Sequence, residues 1–195
     1  MAVGGLGLAL LFYGDATGRK WAQGIGKLSA SGGFVALALV LGVETPYARI
    51  LLAGLVLAFV GDACLLSARQ GPFLAGLGAF LLAHVAYAAA FARVSSPAPW
   101  VVAPLAAAAI GILRWLWPHL GPMRPAVVVY CAAISTMLWL ALGAPNAGVR
   151  VGALLFYLSD LSVARDRFVA AERRNLLLGH PLYFAGQYLI ALSVG

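Results

Sequence analysis

Two aspartates lie inside apolar stretches of the chain, where a carboxyl group is costly. Asp62 occurs in LVLAFVGDACLLS and Asp160 in VGALLFYLSDLSVAR. An ionised aspartate near the centre of a bilayer costs about 2.5–3.5 kcal/mol on insertion scales, so it usually faces a partner, a cavity or a proton path. Two carboxyl groups in one low-dielectric pocket differ in proton affinity, because both cannot ionise at short range. Together they could supply a general acid and a general base, as in hydrolysis through an oxocarbenium-like state.

Further polar residues in the apolar stretches could support these acids. His84 precedes Tyr87 by about one helical turn, and Tyr183 and Gln187 are four residues apart, so each pair shares a helix face. These side chains could line the cavity of the acids or bridge neighbouring helices by hydrogen bonds, and the sequence leaves both open. Lys27 could hold a phosphate headgroup near the aspartates or extend to the membrane surface.

The remaining chemistry-bearing residues form no further motif. The three histidines are scattered, HExxH is absent, and the two cysteines stand apart in apolar runs, so we predict no metal and no cofactor. The absence of GxSxG argues against a serine lipase. Basic residues lie between apolar runs rather than in a patch with interleaved aromatics, so we expect no nucleic-acid partner.

The composition is that of a membrane protein. Of the 195 residues 63% are hydrophobic and 10% charged, and the mean hydropathy is +0.96, whereas soluble proteins carry about 25% charged residues. Apolar runs separated by charged residues, Pro or Gly predict eight helices with short connections. These helices cover residues 2–14, 27–43, 48–67, 73–92, 98–117, 124–142, 147–165 and 177–194. The predicted fold is an all-α polytopic membrane helix bundle with about eight transmembrane helices, forming a single integral membrane domain over residues 1–195.

The basic residues predict an orientation. The first, third, fifth and seventh connections and their flanks hold ten of the 13 Lys and Arg residues, and the others hold only Arg49, Arg93 and Arg150. Cytoplasmic connections are the ones enriched in Lys and Arg. Both termini are therefore expected outside the cytoplasm, in the inner (plasma) membrane of a bacterium. With this topology Asp62 and Asp160 lie at similar depth, roughly 8–10 Å from the cytoplasmic ends of two parallel helices.

A weak internal similarity relates the two halves of the chain. Aligning Asp62 with Asp160 sets LLAHVAYAAAF beside LLGHPLYFAGQY after a shift of two residues. Each half then has an aspartate followed by His-x-x-Tyr, as in a 4+4 parallel repeat with a site at the repeat interface. Chance similarity in Ala/Leu/Gly-rich sequence is an equal alternative.

Four motifs follow one another along the chain. They are Gly-Asp in FVGDACLL, G-x-x-x-F-x-x-x-H-x-x-Y-x-x-x-F in the fourth predicted helix, LLFxxSD in the seventh and YFxxQ in the eighth. In order and spacing they resemble the YhhN-like membrane proteins, which include the lysoplasmalogenases, from Lys27 onward. The family often has Lys-Pro where this chain has Lys27-Leu28.

The resemblance implies a hydrolase that cleaves the vinyl ether bond of lysoplasmalogens. The products would be a fatty aldehyde and glycerophosphoethanolamine or glycerophosphocholine, and the partners a lysophospholipid substrate and membrane lipid. Asp62 and Asp160 would be the catalytic acid pair, and the expected substrate-binding residues are Lys27, His84, Tyr87, Tyr183 and Gln187. The alternative is a proton-coupled transporter or lipid-handling membrane protein, in which the same two acids cycle protons.

Overall fold

The described part of the chain folds into α-helices joined by short connections. The computed structural model describes residues 2–67 and 69–195, and these residues contain no strand. The helices are α1 (Ala2–Thr17), α2 (Lys20–Leu41), α3 (Pro46–Cys64), α4 (Gln70–Phe91), α5 (Val102–Leu116), α6 (Arg124–Leu142), α7 (Ala147–Ala164) and α8 (Arg173–Leu192). The predicted all-α bundle of eight helices is therefore confirmed.

Six of these helices are long and apolar enough to cross a membrane. They are α2, α3, α4, α6 and α7, together with α5 when its flanking 3₁₀ turns are included. α1 has only 16 residues, and α8 begins with Arg173 and Arg174 and carries several polar side chains. The chain is thus an integral membrane protein, and the 4+4 repeat stays a prediction.

Local sequence signals set several helix ends. The Thr45 side chain caps α3 by accepting a hydrogen bond from the backbone N–H of Ala48 at 3.1 Å, and Asn146 caps α7 in the same way. Gly18 joins α1 to α2 with φ +67°, a left-handed conformation that glycine adopts without strain. Because such connections are short, successive helices run antiparallel and most of them pack as neighbours, whereas α4 packs against α6 instead of α5.

Four helices extend further than the sequence predicts at the same end of the bundle. α1 ends at Thr17 instead of residue 14, and α2, α4 and α8 begin seven, three and four residues earlier than predicted. Asp15 consequently lies in the last turn of α1, and Pro181 lies within α8, where it cannot donate a backbone hydrogen bond. The added turns bring polar side chains to this end of the bundle.

One apolar core joins seven of the helices, α1–α4 and α6–α8. α7 and α8 approach closely where Gly152 faces Gly186, since a Cβ atom added to Gly186 would lie 2.7 Å from the carbonyl oxygen of Gly152. Small residues permit such close helix contacts in membranes. This contact fixes the relative position of the helices that carry Asp160 and Tyr183.

The connection between α7 and α8 is held by a polar network. A π-helical turn, Arg165–Val169, follows α7. Arg165 donates to Glu172 at 3.1 Å and to Asn175 at 2.6 Å, and Asn175 donates to Asp166 at 3.1 Å. The hydrogen bond from Arg165 lowers the pKa of the Glu172 carboxyl group. This network orders the segment that borders the cavity described next.

Candidate active site

A cavity of about 480 Å³ lies between the helices, and all eight contribute to its lining. It occupies the end of the bundle where odd-numbered helices finish and even-numbered helices begin, which is also the end rich in Lys and Arg. One lining residue from each helix illustrates this arrangement: Leu11, Lys27, Asp62, Phe80, Ile112, Tyr130, Asp160 and Tyr183. Both aspartates that the sequence singles out therefore border the same space.

Asp62 is a buried carboxylate with three partners. The Nζ atom of Lys27 lies 3.1 Å from Asp62 Oδ1. The hydroxyl groups of Ser31 and Tyr183 donate to Asp62 Oδ2 at 2.5 and 2.7 Å. Asp62 is only 1% exposed, and a buried charge requires such pairing and hydrogen bonding. One cation and two donors match an ionised carboxylate, which can only accept hydrogen bonds.

Asp160 has different neighbours, a tyrosine and a histidine. The Tyr130 hydroxyl donates to Asp160 Oδ2 at 2.7 Å, and His84 Nε2 lies 3.6 Å from the same oxygen. His84 Nδ1 is 2.7 Å from the carbonyl oxygen of Phe80, so Nδ1 carries a hydrogen. In a neutral ring Nε2 then presents a lone pair to Asp160. At 3.6 Å this contact is too long for a hydrogen bond, and His84 Nε2 has no hydrogen-bond partner within the described chain.

Aromatic rings lie between the two acids. The His84 ring stacks on Phe156 with centroids 4.5 Å apart, and Phe156 contacts the ring of Tyr183 at 5.6 Å. Within the described residues, no hydrogen bond or ion pair joins Asp62 directly to Asp160. The two acids therefore border the cavity as separate groups, with packed aromatic rings between them.

The other predicted site residues divide into two sets. Lys27 and Tyr183 line the cavity, and Lys27 turns toward Asp62 instead of extending to the membrane surface. His84, Tyr87 and Gln187 are fully buried and do not line the cavity. The Tyr87 hydroxyl donates to Gln187 Oε1 at 2.6 Å, which ties α4 to α8. These three residues support the lining from outside the cavity.

Several polar groups that line the cavity or contact its lining are missing from the predicted site residues, among them Tyr130, Asp15 and His180 in the lining and Ser31, which contacts Asp62 from outside it. Ser31 follows Lys27 by four residues, so a shared helix face could have revealed it. Tyr130 gives no sequence signal beyond a hydroxyl group in an apolar helix. Asp15 and His180 form a pair 3.7 Å apart, and the sequence places Asp15 in a connection because Gly14 is expected to end the first helix.

The described residues, 2–67 and 69–195, contain no group of three or more His, Cys, Asp or Glu side chains that could hold a metal ion. The expected absence of a metal or cofactor stays a prediction.

Comparison with known proteins identifies relatives of this chain. The model of the YhhN family matches residues 26–194. A lysoplasmalogenase of Mycobacterium bovis is 38% identical over 123 residues, which cover 58% of this chain and 46% of that protein. Lysoplasmalogenase TMEM86B of Sus scrofa is 37% identical over 151 residues, which cover 76% and 64%. The uncharacterized membrane protein YhhN of Escherichia coli O157:H7 is 29% identical over 154 residues, 74% of each chain.

These matches confirm the resemblance predicted from the motifs. The chain spans less than two thirds of the length of the mycobacterial and pig relatives. No solved structure matches it. The family model nevertheless covers most of the chain, including Lys27, Asp62, Asp160 and Tyr183. The chain therefore belongs to the YhhN family.

Proposed function

We propose that this protein is a lysoplasmalogenase, which hydrolyses the vinyl ether bond of a lysoplasmalogen to a fatty aldehyde and glycerophosphoethanolamine or glycerophosphocholine. The observation that carries the proposal is the cavity, which presents the carboxyl group of Asp160 and the paired carboxylate Asp62 to one space. The relatives named lysoplasmalogenase, at 37 and 38% identity, support it. The whole chain would act as one integral membrane domain.

The shape and lining of the cavity suit a single-chain lipid. Its volume of about 480 Å³ lies within the ≈300–1,000 Å³ range of small-molecule sites. Apolar side chains such as Phe80, Ile112 and Ile134 would surround the hydrocarbon chain. Arg167 lines the cavity from the π-helical turn, so the charged headgroup would lie at the basic end. The positive-inside rule assigns this end to the cytoplasm and both termini to the opposite side.

Asp160 would supply the proton in the first step. Its carboxyl group protonates the alkene carbon distal to the ether oxygen, and the electron pair of the double bond forms the new C–H bond. The carbon bonded to oxygen becomes an oxocarbenium ion. Tyr130 and His84 orient the carboxyl group through their contacts with Oδ2. Proton transfer by a positioned acid typically contributes about 10²–10⁴-fold to a rate.

Asp62 would stabilise the positive charge that develops in this step. Fixed charges aimed at the position of a developing charge are often the largest contribution to catalysis. Lys27, Ser31 and Tyr183 already occupy the Asp62 oxygens, so Asp62 acts as a fixed negative charge. Asp160, which has lost its proton, accepts one from the attacking water, and the resulting hemiacetal collapses to aldehyde and alcohol. One water is consumed and the acid is regenerated.

The proposal is tested with purified protein in detergent and a lysoplasmalogen of defined chain, in H₂O and in D₂O. We expect a fatty aldehyde, trapped as it forms, with one deuterium on carbon 2 when the reaction runs in D₂O. No aldehyde from either the ethanolamine or the choline substrate would contradict hydrolysis. Lipid movement across sealed proteoliposomes without aldehyde would instead favour a transporter.

A further inference from the structure

Asp15 and His180 form a second polar pair at the cavity, separate from the groups used in the proposed mechanism. Asp15 lies in the last turn of α1 and His180 in α8, and Asp15 Oδ2 is 3.7 Å from His180 Nδ1. Both residues line the cavity, and the Asp15 side chain is only 10% exposed. Neither of these two atoms has a hydrogen-bond partner within the described chain. Buried polar groups almost always have partners, so the pair indicates a binding site for a hydrogen-bond donor.

The charges around the pair favour a cationic donor. No Lys or Arg of the described residues forms an ion pair with Asp15. Lys27 is near both residues, but Asp62 neutralises it. Gln23 is uncharged, and the charge of Arg173 acts on Asp15 without an ion pair between them. The Asp15 carboxylate is therefore a negative charge without an ion-pair partner among the described Lys and Arg residues, and it would attract a cation.

We propose that Asp15 and His180 bind the primary ammonium group of an ethanolamine headgroup and thereby favour ethanolamine lysolipids over choline lysolipids. This inference rests on the proposed function. A primary ammonium carries three N–H donors and can donate to Asp15 Oδ2 and, with the hydrogen of the His180 ring on Nε2, also to His180 Nδ1. The quaternary ammonium of choline has no N–H and leaves both acceptors unsatisfied.

The position of Asp15 in the chain fits a role in selectivity. The YhhN family model matches residues 26–194, which include Asp62, Asp160 and His180 but not Asp15. The groups assigned to bond cleavage thus lie within the matched region. One half of the ammonium subsite comes from α1, which lies before it.

The test compares two lysoplasmalogens with the same chain, one with an ethanolamine and one with a choline headgroup. We expect wild-type kcat/KM to be about tenfold higher for ethanolamine, because the choline complex leaves two buried acceptors unpaired. Asp15→Asn should remove this preference by lowering the ethanolamine value about tenfold while changing the choline value less than about twofold. Glu44→Gln is the matched control, because it removes an exposed carboxylate at the other end of the bundle. A wild-type enzyme without preference, or an Asp15→Asn variant that lowers both values equally, overturns the proposal.

A binding measurement separates this inference from the proposed hydrolysis. Saturated 1-O-alkyl lysophosphatidylethanolamine and lysophosphatidylcholine lack the vinyl ether bond, so their dissociation constants can be measured by calorimetry in detergent without turnover. The ethanolamine lipid should bind about tenfold more tightly to wild type and lose this advantage in Asp15→Asn. If no lysoplasmalogen is hydrolysed but this difference persists, the subsite stands and the reaction is wrong. Equal binding of the two lipids to wild type contradicts the subsite.

Discussion

Tyr183 of α8 donates a hydrogen bond to Asp62 of α3 at 2.7 Å, although 121 positions separate them in the chain. The same ring packs edge-on against Phe80 at 5.9 Å and against Phe156 at 5.6 Å. Tyr183 therefore couples the carboxylate of Asp62 to the aromatic wall on which His84 stacks. The two acidic groups of the cavity share this tyrosine as a structural neighbour.

Replacing Tyr183 with Phe should lower kcat about tenfold or more. The change removes one of the two hydroxyl donors that hold the Asp62 carboxylate. Hydrogen bonds to charged groups contribute about 1.5–3 kcal/mol. The measurement is the rate of aldehyde release at saturating substrate. Tyr188→Phe is the matched control, since its hydroxyl donates to the backbone oxygen of Ala30 at 3.1 Å and Tyr188 does not line the cavity. Equal losses in both variants would rule out a specific role for Tyr183.

The Lys27–Asp62 pair should affect stability as well as activity. Asp62→Asn leaves the ammonium group of Lys27, whose side chain is 13% exposed, without its partner, and breaking a buried ion pair costs about 3–5 kcal/mol. We expect a clear fall in the midpoint of thermal unfolding in detergent. The double variant Lys27→Met, Asp62→Asn should recover much of the midpoint but no activity. Recovered activity in the double variant would show that the charge of Asp62 is not needed for the reaction.

His84 should matter for the proton on Asp160 without touching substrate. His84→Gln removes the imidazole that lies 3.6 Å from Asp160 Oδ2 and helps to position this carboxyl group, so we expect kcat to fall by about 10²-fold, at the lower end of general acid contributions. KM should change little, because His84 does not line the cavity. His119→Gln, at an exposed position of a 3₁₀ turn, is the control. A larger effect on KM than on kcat would contradict a positioning role.

The contact between α7 and α8 should tolerate no side chain. A Cβ atom at Gly186 would lie 2.7 Å from the carbonyl oxygen of Gly152 and 3.1 Å from the backbone nitrogen of Phe156. Gly186→Ala should therefore push the two helices apart. We expect the variant to be less stable than wild type by about 1–3 kcal/mol and less active. Gly111→Ala in α5 meets nothing within 4 Å and should be neutral or slightly stabilising, because Ala has the higher helix propensity. Thermal unfolding in detergent measures both. A neutral Gly186→Ala would mean that the helices can repack.

Composition and apolar runs were sufficient to predict the eight helices and the membrane setting, because the cost of exposing polar backbone or charge to lipid leaves few alternatives. The same cost identified Asp62 and Asp160 as unusual. Helix ends were less predictable. Gly14 and the charged residues after it resemble a helix end, yet packing of α1 against α2 carries the helix to Thr17. This difference hid Asp15 from the sequence prediction.

The partners of the acids could not be read from the sequence. Which side chain meets Asp160 depends on how α4 and α6 rotate against α7, and no local pattern encodes this rotation. Tyr130 therefore emerges only from the packed bundle. The shared face of Tyr183 and Gln187 is also an incomplete guide, since Tyr183 reaches the cavity while Gln187 is bound by Tyr87 outside it.

The central claim is that Asp160 delivers the proton to the vinyl ether. The most direct test is aldehyde release from a defined lysoplasmalogen by wild type and by Asp160→Asn, with thermal unfolding of both proteins measured in the same detergent. An asparagine retains the size of the side chain and can still accept a hydrogen bond from Tyr130, so the variant should remain folded. We predict a loss of at least about 10³-fold in kcat at an unfolding midpoint near that of wild type. A folded Asp160→Asn variant that releases aldehyde at the wild-type rate would contradict the mechanism.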